Sequence, residues 1–220
     1  MTGRRQVPRK AGLSRESILR AGLRLADEEG VDGLSMRKLA NGFGATAMAL
    51  YRHVANKDDL LDGMVDLVFG EVEIPRDVGW RAAMRQRAVS MREALRRHPW
   101  AVDLMEARQP GPANLRYHNA GLACLREEAG LPIRDAIDAY NLMDSYIYGF
   151  ALQEKTLPGD IAAEAQARHD ALTSADPSLA DRFPYLIEVV NELAASGYDY
   201  TEQFQRGLDV ILEGIEQTRQ

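Results

Sequence analysis

Arg37, Tyr51, Arg52 and Lys57 are the residues whose types and spacing suit chemistry, and that chemistry is recognition of a polyanion. Arginine binds phosphate or forks onto a guanine edge, and tyrosine offers a hydroxyl donor and a flat face to a sugar-phosphate backbone. Lys57 follows Asn56 at the start of a helical pattern, where free backbone N–H groups also favour an anion. Each side chain has a plainer use on a solvated surface or in packing, so the charge distribution matters. The 220 residues carry a net charge of −6, which at first sight argues against a nucleic-acid partner. Residues 1–57, however, hold 11 Lys and Arg against 5 Asp and Glu, or +6, and the rest holds 16 against 28, or −12. A basic module fused to an acidic body would be drawn to DNA and oriented on it, and a solvated surface of uneven charge is the alternative.

Other chemistries find little support. The four histidines, His53, His98, His118 and His169, show no H-x-x-x-H spacing and no carboxylate set, so no metal and no cofactor is expected. Gly42-Phe43-Gly44 with Ala47 satisfies a loose dinucleotide fingerprint but follows a helix and lacks a βαβ setting. Cys124, between Ala123 and Leu125, reads as a small core residue more than a nucleophile, and as the sole cysteine it forms no internal disulfide. Ser, His and Asp co-occur by count alone, so an enzyme is not expected. No apolar run approaches the roughly 20 residues that a bilayer span needs, and MTGRRQVPRK is not followed by a hydrophobic stretch. The expectation is a cytoplasmic chain with no membrane partner. Hydrophobic residues at 45% and charged ones at 27% are ordinary globular values.

The elements that must position these residues read as helices almost throughout, and the fold class is all-α. Ile18, Gly22, Leu25 and Ala26 form one stripe after Ser14, stopped by Gly30. Ser35 caps a short second helix with Met36, Leu39 and Ala40, which Gly42-Phe43-Gly44 breaks. Thr46 caps a third from there to about His53, and Asn56 with Asp59 reads as a capping-box variant opening a fourth through Leu60, Met64 and Leu67. Further helices are expected at Trp80 to about Arg97, near 113–129, 133–155, 185–196 and 200–218. Residues 156–184, with Pro158, Gly159, Pro177 and Pro184 around an Ala-rich patch, read as a partly mobile loop holding one short helix. The division is a basic flexible arm at 1–13, a helix-turn-helix domain at 14–57, and a ligand-binding and dimerisation domain at 58–220, with the helix from about 56 connecting the last two.

Two short helices about a glycine turn, the second polar and exposed, fit a helix-turn-helix. Around them, Ile18-Leu19, Ala21, Leu25, Gly30, Leu34-Ser35, Leu39-Ala40, Phe43-Gly44, Leu50-Tyr51, Val54, Asn56-Lys57 and Leu60-Leu61 together resemble the N-terminal domain of the TetR family of repressors. Arg37-Lys38-Leu39-Ala40, and Leu50-Tyr51 with His53-Val54 and Asn56-Lys57, are similar to the tetracycline-repressor branch, as is Phe204 with Gly207-Leu208, Ile211 and Gly214-Ile215-Glu216 near the end. The resemblance implies a homodimeric, ligand-responsive regulator of transcription. It places Arg37, Tyr51, His53 and Lys57 on DNA, with Thr46, Ala47, Met48, Ala49 and Arg52 as the exposed part of the third helix. There the chain departs from the branch, which has longer polar side chains at Thr46 and Ala47, a proline at Met48 and a tryptophan at Arg52. The operator should differ accordingly: Ala47, Met48 and Ala49 suit thymine methyls, and Arg52 suits guanine. Arg4, Arg5, Arg9 and Lys10 in the arm fit phosphate tracking, minor-groove entry or a merely solubilising tail.

The acidic body is expected to hold an effector pocket and a dimer face. Pocket candidates are Met64, Leu67, Met91, Trp100, Leu104, Met105, Tyr117, Met143 and Tyr146, a set that suits an adaptable drug-like hydrophobe, with Asn114, His118, Asn141 and Asp144 to orient it. For any one of these, ordinary core packing is the rival. Leu104 and Gly121 stand where the branch has its metal-binding histidine and drug-contacting glutamine, so a magnesium–tetracycline ligand is not expected. The dimer face is read as Ile137, Tyr140 and Ile147 on one helix with Phe204, Gly207, Leu208, Ile211, Gly214 and Ile215 on the last, forming a four-helix bundle with the partner's copy. The function expected is a repressor released from a palindromic operator by a small hydrophobic or drug-like effector. The alternative keeps the fold as a small-molecule-binding protein without operator recognition.

Overall fold

A computed structural model describes residues 12–75, 77–157, 161–175, 178–196 and 199–219. Its regular elements among these residues are helices, and none is long and apolar enough to cross a membrane. The basic arm at 1–13 lies almost wholly outside the described residues.

The head is built by strong local signals. In α1 (Arg15–Glu29) the Ser14 hydroxyl accepts from the Ser17 amide while Ser17 Oγ accepts from the Ser14 amide, a reciprocal capping box. A single 3₁₀ turn, Val31–Gly33, leads to α2 (Met36–Phe43), where Ser35 Oγ accepts from Lys38 N at 3.2 Å. The third helix, α3 (Ala47–Leu50), is shorter than expected, and Thr46 occupies its N-cap without a side-chain hydrogen bond. Asn56 does cap α4 (Lys57–Gly70), its Oδ1 accepting from Asp59 N at 2.8 Å. The reciprocal bond differs from a capping box, because the Asp59 carboxylate takes the Ala55 amide instead.

The trunk comprises α5 (Trp80–Arg97), α6 (Pro112–Ala123) with a π-helical turn at Cys124–Glu128, α7 (Ile133–Lys155), α8 (Ile161–Ala175), α9 (Leu179–Arg182), α10 (Pro184–Ser196) and α11 (Tyr200–Gln217). Residues 156–184 correct the reading from sequence. A four-turn helix, α8, stands where one short helix was expected and packs against α10, while Pro158, Gly159 and Pro177 lie outside the described residues. One apolar core runs from Ile18 in α1 through Leu60 and Met64 in α4 to Ile215 in α11, so α4 belongs to head and trunk alike.

Side chains of α4 fasten it in both directions. Toward the head, Asp59 takes a bidentate pair of hydrogen bonds from Arg15 at 2.8 and 2.6 Å. This pairing holds the Asp59 carboxyl below its ordinary range. Toward the trunk, Asp66 Oδ1 accepts from the Ala113 and Asn114 amides at 2.9 Å each, so α6 takes its N-terminal acceptor from another helix. Gly111, the N-cap of α6, makes this reach possible, since a Cβ there would fall 2.5 Å from Asp66 Oδ1. Arg108 bridges to Asp58 at 2.9 Å and Asp62 at 3.7 Å on the same helix.

Candidate functional site

On the head, Leu50 and Val54 anchor α3 in the core, and this orientation turns its other side outward. Met48 is 70% exposed and Tyr51 43%; Arg37, Thr46, Arg52 and Lys57 are also exposed, while Ala47, Ala49 and His53 are half-buried. Arg37, Arg52 and Lys57 make no ion pair among the described residues, in contrast to Lys38, which is held by Glu29. The head thus presents a short helix with a projecting methionine, a phenol and unneutralised cations around it. Such a surface binds phosphate through charge and can offer one arginine fork and several apolar contacts to base edges. His53 contributes its carbonyl to Arg15 at 3.3 Å.

The residues expected to line an effector pocket fall into separate places. Tyr117, His118 and Asp144 come together, joined by two residues the sequence reading did not assign to them. Arg87, only 2% exposed, donates from Nη2 to Asp144 Oδ1 at 2.9 Å and to the Tyr140 hydroxyl at 2.5 Å. Tyr140 Oη in turn lies 2.5 Å from His118 Nδ1. The guanidinium sits between two rings, 3.9 Å from the Tyr117 centroid and 4.6 Å from that of Tyr140. Phe69 closes an aromatic wall, with ring centroids 5.1 Å from Tyr117 and 5.6 Å from His118. A Cβ on Gly121 would fall 2.7 Å from Tyr140 Cε2 and 3.0 Å from Arg87 Nε, so glycine is what lets α6 pass this close. Burial drives the Tyr117, Tyr140 and Tyr148 phenols far above their ordinary range and holds them neutral. Burial works against the Arg87 charge, but Tyr117, Asp144 and Tyr140 together hold it above its ordinary value, so it stays ionised.

Arg87 has a signal in the sequence, since it falls at helical spacing with Ala83, Met84 and Met91 on the buried side of α5. Among the other candidates, Met91, Met105 and Met143 are buried and Leu67 and Leu104 half-buried in the core. Met64 faces the head, where its sulfur lies 2.9 Å from the place a Cβ on Gly22 would take. Trp100 also reaches the head, its indole N–H donating to Asp27 Oδ1 at 2.7 Å. Half-buried Asn114 serves α6 through its backbone amide. Two expectations are corrected. Asn141 is exposed, because it falls on the solvent side of α7, and Tyr146 turns toward α11, stacked on Phe204 at 5.3 Å with its hydroxyl on the Phe204 carbonyl at 3.0 Å.

The expected dimer face divides in the same way. Tyr140, Ile147, Phe204, Leu208 and Ile215 are buried within the single chain, so they form its core and not its surface. Helical periodicity records burial without recording which molecule supplies the cover. Ile137 at 44% and Gly214 are exposed, Gly207 and Ile211 half-buried. The apolar residues that the sequence reading missed are Leu142 at 53%, Leu152 at 50% and Val210 at 73% exposed. Ser145, Gly149, Gln203, Gly207 and Val210 line a shallow groove of about 460 Å³ between α7 and α11. Cys124 is buried, and its thiol is pushed up to about 11, chiefly by desolvation, which leaves it a poor nucleophile. Among the described residues no group of His, Cys, Asp and Glu is arranged to hold a metal ion.

Comparison with known proteins adds the following. The family described as tetracyclin repressor-like, C-terminal domain, matches residues 74–219, and that described as bacterial regulatory proteins, tetR family, matches residues 18–64. An HTH-type transcriptional regulator of Saccharopolyspora erythraea is 33% identical over 97% of this chain and 89% of its own. The tetracycline repressor protein class A from transposon 1721 of Escherichia coli is 32% identical over 94% of this chain and 92% of its own. Among solved structures, the Streptomyces coelicolor TetR family protein ActR in complex with actinorhodin superposes with a TM-score of 0.79, at 29% identity, covering 95% of this chain and 99% of that one.

Proposed function

The chain belongs to the tetR family of bacterial regulatory proteins, and from that premise we propose that it is a homodimeric, cytoplasmic repressor that a small hydrophobic or drug-like effector releases from a palindromic operator. The observation that carries this reading is the double fastening of α4. Its Asp59 is tied to Arg15 in the head and its Asp66 to the first turn of α6 in the trunk. A change at the trunk end of α4 therefore moves the head. Two heads must meet successive major grooves roughly 34–36 Å apart, so a small rotation of each suffices to break the fit. The partner copy is proposed to cover the exposed stripe of α7 and α11. Because occupancy of the trunk and of the operator favour different arrangements, each weakens the other by the same factor.

The reading is tested by measuring binding of the full chain to a fragment carrying its own promoter, with salt varied. The expected result is an affinity falling steeply with salt and a slope reduced by about 1 in Lys57→Ala. The short Ala47-Met48-Ala49 surface, with few polar readers, favours a second reading as an effector-binding protein without operator recognition. Under that reading, promoter and unrelated DNA bind alike, and Arg52→Ala changes neither.

A further inference from the structure

The polar group at the centre of the trunk supplies more donors than it uses. Arg87 Nη2 is committed to Asp144 and Tyr140, whereas Arg87 Nε and Nη1 have no partner although fully buried, and the Tyr117 hydroxyl, equally buried, has Asp144 and Tyr148 beside it but no well-directed hydrogen bond. Leaving such groups unmatched is unfavourable, most of all for a charged one. Gly121 on α6 lies against Nε, which leaves Nη1 and the Tyr117 hydroxyl as the donors not faced by a neighbouring helix backbone. The rings of Phe69, Tyr117, His118 and Tyr140 surround them, and half-buried His118 stands at the solvent edge of the group.

Charge decides what kind of acceptor fits. Asp144 already balances Arg87 at 2.9 Å. His118 lies 4.0 Å from Asp144 Oδ2, and burial holds it below its ordinary value, so it brings no second positive charge at neutral pH. A carboxylate brought against these donors would place two anions against one cation away from water, which is costly. An uncharged carbonyl oxygen meets the free donors and leaves the balance intact. We propose that Arg87 and Tyr117 form the recognition element of the effector site, and that the effector is an uncharged aromatic carbonyl compound, its oxygen accepting from these donors and its ring lying against the aromatic wall. The proposal rests on the repressor reading for the word effector, but the binding it asserts does not involve DNA.

The test is a calorimetric titration of the full chain at pH 7.5, without DNA, with 2-acetonaphthone, 2-ethylnaphthalene and 2-naphthoate. These share a ring and differ in bearing a neutral acceptor, none, or an anion. The expected result is that 2-acetonaphthone binds about tenfold or more tighter than either of the others, the size of effect a hydrogen bond from a charged donor gives. Arg87→Met alone strands Asp144 and threatens the fold, so the decisive variant is the double Arg87→Met, Asp144→Leu, which replaces the ion pair with apolar volume. It is expected to stay folded by circular dichroism and to lose the preference for the ketone over the hydrocarbon. Equal or tighter binding of 2-naphthoate, equal binding of the hydrocarbon, binding of none of the three, or a preference that survives in the double variant overturns the proposal. A chain that shows the ketone preference but fails to bind its promoter leaves this site standing and removes the repressor reading instead.

Discussion

Asp27, in the last turn of α1, and His98, at the end of α5, meet with Asp27 Oδ1 2.7 Å from the His98 Nδ1 atom, and this contact ties the far end of the head to the trunk. The other ring nitrogen lies 3.2 Å from Glu71 Oε1, just past α4, and Trp100 donates to the same Asp27 oxygen. Asp27→Ala removes the shared acceptor and strands a buried indole N–H, so unfolding free energy should fall by about 1–3 kcal/mol. Urea melts followed by tryptophan fluorescence check the value. A variant within 0.5 kcal/mol of the parent, roughly the level of an ordinary surface change, contradicts it.

Asp66→Ala takes away the acceptor of two α6 amides. The expected loss is about 1 kcal/mol, the usual worth of a cap, with faster hydrogen exchange confined to the first turn of α6. Asp66→Asn keeps an acceptor oxygen and should recover most of the protection.

The acid limb of stability has an assignable part. Burial, the largest influence, and the Arg87 charge hold His118 below its ordinary value of 6.5 against the pull of Asp144. With the folded value depressed, the unfolded chain binds the proton first, so this contribution is complete above about pH 6.5 and is lost as pH falls below it. His118→Gln, which can still pair with the Tyr140 hydroxyl, should flatten the melting temperature between about pH 7 and 5. An unchanged profile in the variant excludes His118 as the source.

Val210→Asp puts a charge on the most exposed apolar position of α11 and should shift sedimentation from dimer to monomer with the helical signal retained. Phe204→Ala, by contrast, opens a cavity inside one chain and should cost about 3–5 kcal/mol of folding stability. If Val210→Asp remains dimeric at low micromolar concentration, the α7 and α11 stripe is not the face that pairs.

On the DNA face, Arg52→Ala should cost about 1–3 kcal/mol on the promoter and relax discrimination at one base pair, whereas Lys57→Ala weakens all sequences alike. Binding to a panel of single-base promoter variants separates the two outcomes.

What the sequence made legible was local. Ser35 and Asn56 read as caps from residues close by and cap in the structure, whereas Thr46, read in the same way, makes no side-chain cap bond. The all-α class follows from the same short-range pattern; of the surface that the resemblance implies for α3, Thr46, Met48 and Arg52 are exposed, and Ala47 and Ala49 are half-buried. The misses depend on distance or on context. Asp27 and His98 are 71 positions apart, and no periodicity announces such a pair. Arg87 was passed over because a charge in an apolar register reads as an interruption until its partners Tyr140 and Asp144 are brought alongside. For α8, prolines at the borders looked like breaks in a loop, and an Ala-rich surface helix with few large apolar residues has little periodicity to reveal it. On α7 and α11 the apolar pattern was real, but it mixed residues covered by the chain itself with residues still uncovered.

The borrowed cap of α6 bears on how such regulators can be recombined. Because Asp66 on the connecting helix completes the first turn of the trunk, a junction placed after Gly70 would hand α6 to a foreign helix with no carboxylate at that position. A graft joined ahead of Asn56 carries the whole connector with the trunk, and then asks of the incoming domain a long cation where Arg15 stands and a carboxylate where Asp27 meets His98 and Trp100. The natural seam for exchanging specificities therefore lies at the turn before α4.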